Sequence, residues 1–169
     1  MKALFIGRFQ PFHNGHLKIL QTLSSQFDEV IIGIGSSQYK NTAENPFSFE
    51  ERKKMIQASL QKEKIHNFKI LAIPDIHNPP QWVNHVLSIV ADFDIVISNN
   101  QLTQQLFKEK GYHIRETQNF ERHCYSGEEI RKRIIQNKPW VELVPPPVAQ
   151  ILQEINGIKR IKILHNIKC

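Results

Sequence analysis

Short apolar runs rich in β-branched residues recur along this chain, and each is followed by a segment of helical period. That alternation constrains the fold more than any other feature. Ala3-Leu4-Phe5-Ile6 ends at Gly7, and Val30 to Ile34 ends in Gly35-Ser36-Ser37. Phe68 to Ile73, Ile95-Val96-Ile97 and the weaker Tyr112-His113-Ile114 follow. Near-continuous apolar runs of this length suit strands buried on both faces. Between them, Asn14 to Gln26 places Leu17, Leu20 and Leu23 along one side of a helix. Ser48 to Lys62 opens with a capping box, Ser48 and Glu51 satisfying free amides reciprocally. Asn78 stands as a cap before Pro79 at a first helical position, and Gln101 to Lys110 is closed by Gly111. Ser126 and Glu129 read as a second capping box, with Ile130 and Ile134 behind it at helical spacing, and Pro145 to Ile155 is a last helix ended by Asn156-Gly157. The order βαβαβαβαβα predicts an α/β fold with a doubly wound parallel sheet and right-handed crossovers. Ligands of such sheets bind at the carboxyl ends of the strands, where the strand order reverses.

With 169 residues, the chain matches one domain of about 150 residues. We read a single domain over residues 1–169, with a C-terminal helix from about 145 and a basic tail from Ile158 to Cys169 to which no structure is assigned. Hydrophobic residues make up 40% and charged residues 22%, a globular balance that excludes disordered, collagen-like and coiled-coil classes. Lys and Arg exceed Asp and Glu by 22 to 16, a net charge of +6. That excess fits an anionic ligand and does not choose between a nucleotide and a nucleic acid. Cys124 and Cys169 form no disulfide framework and no zinc-binding pattern. No apolar stretch approaches the roughly 20 residues that span a bilayer. The N-terminal run meets Arg8, Gln10 and Pro11 too early for a secretory signal. A soluble, cytoplasmic protein is expected.

The first strand runs into Gly7-Arg8-Phe9-Gln10-Pro11-Phe12-His13-Asn14-Gly15-His16. His13 and His16 lie three apart in the first turn of a helix, so both imidazoles share a face. Gly15 between them admits a ligand close to the backbone. The free amides and dipole at that helix end favour phosphate, and Arg8 adds a planar cation suited to phosphate oxygens. A single His near a helix start is often only a cap. Two His also supply too few ligands for zinc. The setting after a strand and before a helix, with Gly7, Pro11 and Gly15 present, is what points to a site. The second element is Tyr125-Ser126-Gly127-Glu128-Glu129-Ile130-Arg131. Alone it is a capped helix with a basic face. Ser126 and Gly127 nevertheless make a second helix entrance open to anionic oxygens, Arg131 lies one turn on, and Arg122 sits just upstream. Two such entrances with three arginines suit a polyphosphate held between them.

The pair GRFQPFHNGH and YSGEEIR resembles the signatures of the HxGH nucleotidyltransferases, and most closely those of the archaeal-type nicotinamide-nucleotide adenylyltransferases. The resemblance runs through most of the chain, including Gly33-Ile34-Gly35-Ser36-Ser37-Gln38, Asn45-Pro46-Phe47 with Glu51-Arg52, Asp75-Ile76 with Trp82, and Asn156-Gly157-Ile158. It implies a Rossmann-like nucleotidyltransferase fold and an enzyme joining ATP to nicotinamide mononucleotide, yielding NAD and pyrophosphate. It implies that Gly7, Arg8, Phe9, His13, Gly15, His16, Arg122, Tyr125, Ser126, Gly127, Ile130 and Arg131 surround ATP. His13, His16, Arg8 and Arg131 would be the catalytic group, with His16 on the α-phosphate and Ser126 and Arg131 on the β- and γ-phosphates. Phe9, Gln10, Asp75, Ile76, Asn78, Trp82, Asn99 and Asn100 would meet the mononucleotide, the Trp82 indole as a stacking wall. The family's Ser-Gly-Asn loop reads Ser98-Asn99-Asn100 here, and Pro79 replaces a frequent Asn in the pyridine pocket.

In that reaction the attacking group is a phosphate with a second pKa near 6, mostly ionised at pH 7. No general base is needed, attack is direct and in line, and no covalent enzyme intermediate forms. Catalysis is then positioning and electrostatics. Mg²⁺ would travel with the ATP phosphates and keep its waters, with no metal site on the protein itself. The partners expected are ATP and the mononucleotide, without nucleic acid or membrane, in a homo-oligomer, often a hexamer in this family. One alternative is another HxGH adenylyltransferase with a phosphorylated acceptor such as phosphopantetheine, although that motif usually carries Thr where His13 stands. The other is a non-catalytic basic module binding nucleotide or nucleic acid, although aromatic and basic residues are not interleaved as single-strand binders require.

Overall fold

Five strands pair in parallel, and their order places the first strand at the centre. The strands are β1 (Lys2–Gly7), β2 (Glu29–Gly35), β3 (Phe68–Ile73), β4 (Ile95–Ile97) and β5 (His113–Arg115), arranged β3-β2-β1-β4-β5. Leu4 stands opposite Ile31 on one side and Val96 on the other. The helices are α1 (Asn14–Gln26), α2 (Phe49–Lys62), α3 (Pro79–Ile89), α4 (Gln101–Glu109), α5 (Gly127–Ile135), α6 (Pro146–Glu154) and α7 (Gly157–Lys168). The computed structural model describes residues 1–118 and 125–168. Successive strands step outward from β1 to β3, then return to β4 on the other side of β1. The order therefore reverses between β1 and β4, beside the carboxyl end that Gly7 closes. Among the described residues no helix is long and apolar enough to cross a membrane.

The chain divides into two compact units. One comprises Met1–Arg8, Ile19–Ser37 and Asn67–Gln118 and contains the whole sheet. Its core is Leu4, Ile31, Ile73, Val83, Val86, Val90, Val96 and Phe107. These come from the interior positions of the apolar runs, the inner stripe of α3 with Val90 at its end, and Phe107 of α4. Each fully buried side chain of this size contributes roughly 1.5–3 kcal/mol. The turn from α1 into β2 is secured by Asn67, whose side-chain amide donates to the carbonyls of Ser24 and Phe27 at 2.9 and 3.0 Å. Beyond α4, Gly111 takes φ +82°, which a side chain resists, and turns the chain towards β5.

The other unit comprises Phe9–Lys18, Gln38–His66 and the described part of 119–169. There α2 packs on α6, and α7 packs on α5 and α6. Phe47, Met55, Ile56, Leu60, Val148, Ile151, Leu152 and Ile161 form its buried interior. The basic tail, to which the sequence assigns no structure, is helical over residues 157–168. Gly157 opens α7 instead of only closing α6, and Asn156, at φ 54°, makes the corner between the two. Lys159, Arg160 and Lys162 disguise the helix because their charge outweighs a thin apolar seam. What holds it is tertiary. Ile161 is buried, and Arg160 forks onto Glu51, NH1 to Oε2 at 2.7 Å and NH2 to Oε1 at 2.9 Å.

Two of the three expected caps are also revised. Ser48 and Glu51 make both halves of their box. Ser126 accepts from the Glu129 amide at 3.0 Å, but the Glu129 carboxylate turns to Arg133 one helical turn on, so the reciprocal half is missing. Asn78 occupies the cap position of α3 without a side-chain capping bond. The reason is local: Pro79 and Pro80 have no amide hydrogen, and the Gln81 amide already donates to the Asn78 carbonyl at 3.0 Å.

Candidate functional site

Residues 9–18 and 125–131 belong to one unit, and they bring the two expected helix entrances together. A Cβ added to Gly15 would lie 3.0 Å from the Tyr125 Cβ and from the His13 ring. One added to Gly127 would lie 2.7 Å from the Gln10 carbonyl oxygen and 3.1 Å from the Arg131 NH1. Close backbone approach therefore requires glycine at 127 and leaves little room for a side chain at 15, where the first entrance meets the second. Arg131 NH1 donates to the Gln10 carbonyl at 2.6 Å, which pins the guanidinium beside the loop that leads into His13. Ser126 uses its oxygen as acceptor for the α5 cap, and its hydroxyl hydrogen is still able to donate to an anion. Lys18 Nζ lies 5.1 Å from the Tyr125 ring centroid.

The two imidazoles stack with centroids 3.5 Å apart and planes 20° from parallel. The His13 amide donates to Nδ1 of His16 and the His16 amide to Nδ1 of His13, each at 3.3 Å. An Nδ1 that accepts a bond carries no proton, so each neutral ring bears its proton on Nε2. Burial lowers the His13 pKa to about 3. Burial likewise holds His16 well below the usual imidazole range, and the neighbouring His13 adds to the effect. Both rings are thus neutral donors at pH 7. Phe9 and Phe12 support them from below: the Phe9 ring meets His16 edge-on at 4.7 Å, and Phe12 stacks on it at 5.6 Å. Phe9 holds this position in the left-handed region, φ 55°, a conformation that costs a non-glycine residue roughly 1–2 kcal/mol.

Several side chains expected to meet ligand have structural tasks. Gln10 is 3% exposed, and both ends of its amide are engaged by the Phe47 backbone, Nε2 to the carbonyl and Oε1 to the amide, each at 3.0 Å. Ile130 is wholly buried as an anchor of α5, and the Phe9 ring is buried as well. Arg122 lies outside the described residues, as does Cys124.

The other unit holds the remaining candidates. Gly7 ends β1, and the exposed Arg8 follows it. Asp75, Ile76, Asn78 and Trp82 line one cavity of about 250 Å³. His77, Pro79, Leu102, Thr103 and Leu106 complete it. Sequence reasoning missed the α4 residues, although Leu102 and Leu106 at i, i+4 do mark an apolar stripe there. Trp82 meets Phe107 edge-on at 5.7 Å, so one side of the indole is anchored in the core. The missing cap at Asn78 leaves its side chain on the cavity wall. Ser36 donates to the Asp75 carboxylate at 2.7 Å, and both Ser36 and His77 have positive φ. Asn99 and Asn100 do not line this cavity. Asn99 exchanges two bonds with Thr117, and Asn100 caps α4 by accepting from the Thr103 amide at 2.9 Å. Among the described residues no three His, Cys, Asp or Glu side chains gather to hold a metal ion.

A doubly wound sheet, and an HxGH helix entrance lying against a second capped helix entrance, are features of the nucleotidyltransferase class. The sequence model of the cytidylyltransferase-like family matches residues 4–133. The chain is 48% identical over 167 residues to the nicotinamide-nucleotide adenylyltransferase of Methanococcus aeolicus, covering 98% of this chain and 95% of that one. It is 44% identical over 161 residues to the enzyme of the same name from Thermoplasma acidophilum, covering 95% and 90%. The chain belongs to the nicotinamide-nucleotide adenylyltransferases of the cytidylyltransferase-like family. In fold it is similar to a bifunctional NMN adenylyltransferase/ADP ribose pyrophosphatase from Francisella tularensis, with a TM-score of 0.80 at 23% identity. The match covers 98% of this chain and 53% of that protein, so this chain spans about half its length.

Proposed function

We propose that this protein transfers the adenylyl group of ATP to nicotinamide mononucleotide, releasing pyrophosphate and forming NAD. The observation that carries the reading is the close approach of the two helix entrances, with two neutral imidazoles on one and Arg131 behind the other. The family membership supports it independently.

A phosphate oxygen of the mononucleotide attacks the α-phosphorus of ATP. One P–O bond forms there, and the bond to the β-phosphate oxygen breaks with its electron pair leaving on pyrophosphate. The attacking phosphate is already ionised at pH 7, so no side chain has to remove a proton. The task of the site is to bring two anions together and to spread charge on the transferred group. Neutral imidazoles donating from Nε2 suit this, because they stabilise anionic oxygens without taking part in proton transfer. His16 and His13 would serve the α-phosphoryl oxygens, and the hydroxyl of Ser126, the amides of its helix entrance and the Arg131 guanidinium the departing pyrophosphate. Arg8, with Gly7, would add a cation beside the phosphates. Asp75, Ile76, Asn78 and Trp82 would receive the pyridine ring, the indole stacking on it.

Mg²⁺ belongs to this proposal as an ion carried by the triphosphate, neutralising its charge and retaining waters. The described residues suit a metal-bound triphosphate through the donors they offer to phosphate, the Ser126 hydroxyl and the Arg131 guanidinium. A cytoplasmic location, and a homo-oligomer such as a hexamer, rest on the family resemblance and on composition. Nucleic acid and membrane have no part in the reaction. The deciding experiment incubates purified protein with ATP, Mg²⁺ and each of the amide and acid mononucleotides, and identifies products by mass. NAD with stoichiometric pyrophosphate is expected. Product only from another phosphorylated acceptor, or DNA affinity with a steep salt slope and no turnover, would refute the reading.

A further inference from the structure

The Gln10 side chain stands where a ligand contact was expected, yet its bonds go elsewhere. Its amide forms two 3.0 Å bonds to the backbone of Phe47, 37 residues away. That partner segment is itself fixed from the far side. Arg160 donates to the Pro46 carbonyl at 3.2 Å while forking onto Glu51, and its guanidinium lies 5.9 Å from the Phe47 ring centroid. Phe47 is fully buried. The Gln10 backbone faces the other way. Its carbonyl receives Arg131 NH1 at 2.6 Å and lies where any Cβ on Gly127 would collide. One residue thus joins a rigid internal anchor to the place where both helix entrances meet.

We propose that Gln10 is a positioning residue for the phosphate grip, acting through Arg131 and the loop into His13, and that its side chain does not touch the mononucleotide. The inference rests on the reading that this site takes ATP. The physical argument concerns tolerance. A forked guanidinium grips phosphate only at a defined orientation, and a displacement of about 1 Å at such a site costs up to 10²-fold. Releasing Gln10 from Phe47 frees the carbonyl that orients Arg131, so the loss falls on ATP.

The test uses the full chain as wild type, Gln10→Met, Gln10→Glu, Arg131→Ala and the double variant Gln10→Met/Arg131→Ala. Affinity for α,β-methylene ATP and for nicotinamide mononucleotide is measured by calorimetry, beside NAD formation and thermal melts. Wild type that binds neither ligand and forms no NAD removes the activity reading itself. Given a functional wild type, Gln10→Met should weaken the ATP analogue by about tenfold or more and leave mononucleotide affinity unchanged. In the Arg131→Ala background the same change should add almost nothing, because both act on one grip. Gln10→Glu keeps an acceptor for the Phe47 amide and loses the donor to its carbonyl. It should show the same ligand selectivity to a smaller degree, and it supplies the answer if Gln10→Met does not fold. A loss confined to the mononucleotide, an equal loss for both ligands, or full additivity with Arg131→Ala would each overturn the proposal.

Discussion

The backbone amides of His13 and His16 each donate to Nδ1 of the other ring, at 3.3 Å in both directions. This reciprocal pair settles which nitrogen carries the proton and closes one helical turn around two stacked rings. It also removes the imidazoles from acid–base chemistry near neutrality, since burial keeps both of them uncharged. In the proposed reaction their contribution would be donor placement.

His16→Ala should lower turnover by about 10²–10³-fold, the scale of removing one donor to a developing oxyanion. Steady-state kinetics on a variant with an unchanged melting temperature measures this, and near-normal turnover would rule the role out.

Acid should destabilise the fold through the same pair. The folded His13 has a pKa of about 3, whereas an unfolded His titrates near 6.5. Between those values the unfolded chain binds more protons, so stability rises with pH across the window. The contribution is whole above about pH 6.5 and is lost as pH falls towards 3. Urea midpoints at a series of pH values should show the slope, and His13→Asn/His16→Asn should flatten it. An unchanged slope in that variant would place the acid sensitivity elsewhere.

Arg131→Ala should weaken ATP and slow pyrophosphate departure by roughly 10–100-fold, the worth of a charged hydrogen bond at about 1.5–3 kcal/mol. Arg131→Lys should recover little, because an ammonium cannot hold the Gln10 carbonyl and fork onto phosphate together. Kinetics in both directions tests the pair of variants, and wild-type constants in either would contradict the assignment.

Gly127→Ala and Gly111→Ala make a matched comparison. The first places a Cβ 2.7 Å from the Gln10 carbonyl oxygen, while the second meets no atom within 4 Å but keeps a positive φ. Gly127→Ala should cost about 1–3 kcal/mol from overpacking and raise the Michaelis constant for ATP. Gly111→Ala should cost about 1–2 kcal/mol from backbone strain and leave both Michaelis constants alone. Thermal melts and substrate titrations distinguish the two outcomes, and an ATP effect from Gly111→Ala would undo the contrast.

Trp82→Ala should raise the Michaelis constant for the mononucleotide more than that for ATP, because the indole forms one wall of the Asp75 cavity. Equal effects on both constants would show that Trp82 serves only the core contact with Phe107.

Amino-acid order alone determined the strands, the first six helices and the two helix entrances of the candidate site. Alternation of apolar runs, proline and glycine placement, and Ser48 beside Glu51 are local patterns, and local patterns survive without knowledge of neighbours. Tertiary structure decided the rest. It made α7 a helix through Ile161 and the Arg160 fork, against a sequence that reads as a basic tail. It diverted Glu129 to Arg133, so that only half of a capping box formed. It joined Arg131 to Gln10 across 121 residues and turned the Gln10 amide inward to Phe47. Motif spacing names the residue types gathered at a site. Which atom each side chain meets depends on segments far apart in the chain, and only packing brings those together.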